Sequence, residues 1–118
     1  MTAQFILNQL RFYSVTMAKT KIRKDRCKAI KGKSKLNMDL MECSKRLGEL
    51  KKEIAEYLNY FDNNERAIIE DYYINGKSWE YAIGLNDSEA STSTSNQNYK
   101  KYIEKRTKSI HRKIEQLL

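Results

Sequence analysis

The chain has no proline and only four glycines among its 118 residues, so little in it interrupts a helix. Valine occurs once, at Val15, which removes a principal strand former. Histidine also occurs once, at His111, and a lone histidine does not supply the base-plus-orienter pair of nucleophilic catalysis. Neither a P-loop nor a GxGxxG fingerprint is present. Cys27 and Cys43 are the only cysteines and form no CxxC, well short of the roughly four N/S ligands of a zinc site. A disulfide between them runs against a reducing cytosol, so idle or buried thiols are expected. No apolar run approaches the ~18 residues of a transmembrane span. The acid-free start, Met1–Met17, carries a single arginine, Arg11, and reads as part of the fold rather than a targeting segment. These absences leave an all-α chain for which no enzyme activity, cofactor, metal or membrane association is expected. The expected location is the cytoplasm.

What the chain has in quantity is positive charge, unevenly placed. The formal net charge is +8; residues 1–60 carry 14 basic and 6 acidic side chains, residues 61–90 carry 2 and 7, and residues 91–118 carry 7 and 2. Two basic blocks therefore flank an acidic one, and a basic chain favours a polyanion, most often nucleic acid. Lys-rich helices are also simply soluble, so charge alone decides little.

Residues 2–18 place Phe5, Leu10, Tyr13 and Met17 at helical spacing, a buried stripe. In residues 19–35 nine Lys and Arg stand against Asp25 alone, and Gly32 with Ser34 marks a break. This stretch reads equally as a phosphate-contacting arm or as a solvated linker. From Leu36 the seam Leu40, Cys43, Leu47, Leu50, Ile54, Tyr57 and Phe61 alternates steps of four and three, a heptad pattern. It suits a hairpin with residues 2–30 or a homodimer through the heptad helix.

Asp62 and Glu65 are spaced as a capping box, opening a helix over Asn63–Tyr73 with Ile68, Ile69, Tyr72 and Tyr73 on its buried side. Asn75-Gly76 ends that helix, and Ser78 caps the next, in which Trp79, Ala82 and Ile83 face inward. Residues 86–98 are polar and read either as a loop or as the start of a recognition helix. Beyond them Tyr99, Tyr102, Ile103, Ile110, Ile114 and Leu117 form an apolar face, opposite Lys100, Lys101, Lys105, Lys108 and Arg112. Short helices around a Gly-containing turn, followed by a basic helix, are the pattern of a helix-turn-helix DNA reader. The predicted architecture is an N-terminal helical hairpin or coiled coil over residues 1–61, then a helix-turn-helix domain over 62–118.

The run Glu65-Arg66-Ala67-Ile68-Ile69, then Tyr72 through Trp79, and a final basic helix, together with the opening Met1–Phe5 and Gln9-Leu10-Arg11, resembles a family. It is that of small phage-encoded RinA/ArpU-like late-gene regulators, whose C-terminal half is similar to region 4 of bacterial sigma factors. The resemblance implies sequence-specific binding of double-stranded DNA by the last helix, transcriptional control in a phage or mobile element, and no enzyme activity. On this reading Thr94, Asn96, Gln97, Asn98 and Lys101 read bases. Lys77, Lys100, Lys105, Lys108 and Arg112 hold phosphates, with Ser78 beside them at the turn. A second resemblance, through Tyr73–Gly76 and Ala82-Ile83-Gly84, is to small terminase subunits that package phage DNA as rings. A third reading is a helical module that has lost DNA binding and docks a protein such as RNA polymerase or another phage or host regulator.

Overall fold

A computed structural model of the chain describes residues 2–87 and 96–117, the side chains of Asn96 and Gln97 aside. Helix α1 spans Ala3–Arg26 and starts where the Thr2 hydroxyl accepts the Phe5 backbone N–H at 3.2 Å. Its buried face is Ala3, Ile6, Leu7 and Leu10, with Tyr13 and Met17 packed at its edge. Phe5, expected in that stripe, is 47% exposed; the face rotates to Ile6 and Leu7, which fit the same spacing one step on.

The chain reverses at Cys27-Lys28-Ala29, and α2 runs from Ile30 to Leu58 straight through Gly32 and Ser34. The break expected at those two residues therefore lies a few residues earlier. Gly32 serves a different purpose: a Cβ there would lie 2.7 Å from Cys27 Sγ, so the missing side chain lets the two arms close on each other. Residues 19–35 are not a linker; all but Cys27, Lys28 and Ala29 are helical.

The α1–α2 hairpin has two unlike halves. Near its base the heptad seam is filled within the chain: Cys43, Leu47, Leu50 and Ile54 are buried, joined by Leu58, while Tyr57 and Phe61 are half-buried. Between residues 18 and 40 Thr20 alone is buried. The tip is thus a thin two-helix projection. The Cα radius of gyration, 16.7 Å, exceeds the roughly 13–14 Å of a compact domain this long.

Three further helices close the base. Helix α3, Asn63–Ile69, opens with the full capping box: Glu65 N–H donates to Asp62 Oδ1 at 2.8 Å and Asp62 N–H to Glu65 Oε1 at 3.3 Å. It continues not as regular helix, as expected through Tyr73, but as a five-residue π turn, Glu70–Ile74, in which Asn75 N–H bonds Glu70 O. Gly76, at φ +70°, then stops it, with Lys77 N–H returning to Asp71 O. Helix α4, Trp79–Asn86, is capped by the Ser78 hydroxyl, and α5 runs Asn96–Glu115. The described residues contain no strand. One apolar core joins everything: Leu7 and Leu10 of α1 belong to the same cluster as Leu50 and Ile54, Ile68 and Tyr73, Ala82 and Ile83, and Ile110 and Ile114. No helix among the described residues is long and apolar enough to cross a membrane.

Candidate nucleic-acid interface

Helix α5 carries seven basic residues, and the fold divides them by helical phase. Arg106 and Lys113 fall on the side of Tyr102, Ile103, Ile110 and Ile114 and turn toward the body of the protein. Arg106 Nε donates to Asp87 Oδ2 at 3.2 Å, and its Nη1 lies 3.8 Å from Glu65 Oε2. Lys113 Nζ donates to the same Glu65 oxygen, and the Tyr102 hydroxyl to Asp87 Oδ2. Both carboxylates are buried, so each is satisfied by cations and hydrogen bonds rather than by water. Glu65 belongs to the cap of α3 and Asp87 follows the last residue of α4, so one guanidinium ties α5 to both elements. Asp62 is held below its ordinary range, first by accepting the Glu65 backbone N–H and further by the positive field of Arg106 and Lys113.

The outer face is different. Lys101, Lys105, Lys108 and Arg112 follow one another at steps of four, three and four, and all are exposed. Such steps stack side chains along one ridge of a helix. Lys100 does not join the ridge. It lines a recess of about 160 Å³ with Tyr99, Ile103 and the carboxylates Glu80 and Glu104, a poor place for a phosphate.

The remaining sequence-predicted positions separate. Asn98 is exposed on the first turn of α5. Asn96 and Gln97 lie in the same turn, their side chains outside the described residues, and Thr94 lies outside them altogether. Lys77 and Ser78 sit on another element, the turn into α4. The Ser78 hydroxyl accepts the Tyr81 N–H at 3.1 Å, and Lys77 Nζ rests 5.3 Å from the Tyr81 ring centre. An open groove of about 490 Å³ runs from Ser78 and Tyr81 past Gly84 to Tyr99. A Cβ at Gly84 would come within 2.9 Å of the Tyr99 hydroxyl, so a side chain there would displace that hydroxyl.

A stack that sequence reading misses links α1, the π turn, α4 and α5. The Arg11 guanidinium lies 3.7 Å over the Tyr72 ring, which stacks on Trp79 at 3.9 Å; His111 of α5 follows at 5.2 Å. The π turn makes this contact possible. It leaves the Tyr72 and Tyr73 carbonyls accessible, and Arg11 Nη1 donates to Tyr72 O at 2.5 Å and Lys77 O at 2.8 Å while Ser14 Oγ donates to Tyr73 O at 3.1 Å. A cation thus satisfies the C-terminal end of the α3 segment, where the helix dipole favours it. Arg11 being the only charged residue among the first 18 is the signal that was available in the sequence.

Compared with protein-family models, with curated proteins and with solved structures, the chain matches none.

Proposed function

We propose that this chain is a sequence-specific double-stranded-DNA-binding regulator of transcription, of the phage or mobile-element kind that the sequence resemblance implies. Helix α4 supports and α5 reads: the N-terminal turn of α5, with Asn96, Gln97, Asn98 and Lys101, faces base edges, and Lys105, Lys108 and Arg112 hold phosphates. One observation carries this reading. Lys101, Lys105, Lys108 and Arg112 share an exposed ridge, while Arg106 and Lys113 on the inner side are fixed to Glu65 and Asp87. The ridge is therefore held in position by charges that do not compete for the ligand.

Gel-shift titration against random and genomic duplexes tests it. Replacing Lys105 and Arg112 together by Ala is expected to weaken binding to every sequence and to reduce the slope of log K against log salt by about 2. Wild-type binding that survives this double change with an unaltered slope removes α5 from the interface. No shift at low salt instead favours a protein-docking module, for which the exposed Tyr81 and Leu85, one turn apart on α4, are the supporting observation.

A further inference from the structure

The whole formal net charge of the chain sits at one end of it. Residues 19–35 hold nine basic side chains and Asp25, a net of +8; the other residues hold 14 of each sign. The fold places these nine on the tip of the α1–α2 hairpin, beyond the buried core, where Thr20 is the one buried residue. Among the described residues, no ion pair includes any of them.

Local stability does not account for this charge. Arg23, Lys24 and Arg26 do suit the C-terminal end of α1. Lys28, Lys31 and Lys33 do not suit the N-terminal end of α2, where the helix dipole opposes cations, and no side chain caps that end. A local rule broken without a structural return points to a ligand. Around α1 the cations Lys19, Lys21, Arg23, Lys24 and Arg26 occupy several faces rather than one. A helix lying on a membrane would instead segregate its charges from a broad apolar face.

We infer that the hairpin tip is a second DNA-binding site, which grips the phosphate backbone without reading sequence. The inference rests on the proposed DNA binding by α5 and adds to it. Because α1 is anchored in the common core through Leu7 and Leu10, the tip is tethered to α5 by rigid helix, and a duplex held by one site is presented to the other at high effective concentration.

The test is a salt titration of duplex binding by the full chain and by the variant Arg23→Ala, Arg26→Ala, Lys28→Ala, Lys31→Ala, with the Lys105→Ala, Arg112→Ala variant in parallel. The tip variant is expected to keep its thermal midpoint, to lose affinity for specific and random duplexes alike, and to reduce the salt slope by about 3 to 4. An unchanged slope in the tip variant, with binding reduced in the α5 variant, overturns this inference and leaves the α5 reading standing. The reverse result keeps the tip and removes α5. Absence of wild-type binding to any duplex overturns both. Tighter binding to phosphatidylserine vesicles than to duplex, lost in the tip variant, overturns the inference in favour of a membrane.

Discussion

The two basic ends of this molecule solve the same electrostatic problem in opposite ways. Helix α5 sorts its cations, sending Arg106 and Lys113 inward to Glu65 and Asp87 and leaving a narrow ridge outside. The hairpin tip sorts nothing; its charges stand together on a helical stretch, residues 18 to 40, in which Thr20 alone is buried. The first arrangement is rigid and directional, as recognition requires. The second suits strength of attraction without orientation, because screened charges at a Debye length of about 8 Å act on any polyanion that comes near.

The contrast can be broken most severely at the shared core. Leu10→Ala removes a fully buried side chain joining α1 to the helices behind it and should cost about 2–5 kcal/mol. Urea unfolding followed by circular dichroism and by tryptophan emission should remain one transition; two separated midpoints would mean that the hairpin and the α3–α5 unit fold apart. Next in size is Arg106→Met, which takes the guanidinium away from both Asp87 and Glu65. Breaking a buried pair costs about 3–5 kcal/mol, and with Arg106 side-chain exposure of 23% we expect the lower part of that range or below it. DNA affinity should fall as well, although this residue is not on the ridge.

A smaller effect belongs to the cap that supports the inner face. Asp62→Ala should cost about 0.5–1 kcal/mol at neutral pH, at the lower end for caps because Asp62 is exposed. Its folded carboxylate titrates below the ordinary aspartate value of 3.8. The stability it contributes is therefore present above that value and is lost as pH falls through the folded value, so wild type and variant should converge in acid. Stability curves that stay parallel down to strongly acid pH would count against the cap. The smallest stability effect is expected at the tip: the four alanines there should change unfolding free energy by about 0.5 kcal/mol or less in either direction. A large loss would show that the tip charges are structural.

Features fixed by near neighbours were legible before the fold was known. The Asp62–Glu65 box, the Ser78 cap, Gly76 and the Leu47–Leu50–Ile54 seam all depend on residues within a turn or two. The all-helical hairpin followed by shorter helices follows from them. The hairpin reversal was misplaced because glycine here marks a close approach rather than a break, and the true turn, Cys27-Lys28-Ala29, has no turn-forming residue. The Arg106–Glu65–Asp87 clamp escaped notice because its partners lie far apart in the chain, which periodicity does not register. Its cations do, however, fall in phase with Ile103 and Ile110, and charge on an apolar face is a readable sign of a buried partner. The π turn left no sequence signal; the Tyr72 and Tyr73 carbonyls in it are taken up by Arg11 and Ser14, about 60 residues away in the chain.

Trp79, the only tryptophan, lies against Tyr72 from the α3 segment and beside His111 of α5, with Arg11 of α1 on the far side of Tyr72. Its emission therefore works as a built-in gauge of whether those segments are docked. Any event that shifts α5 against the hairpin, duplex binding included, changes the ring's surroundings and becomes visible without a label.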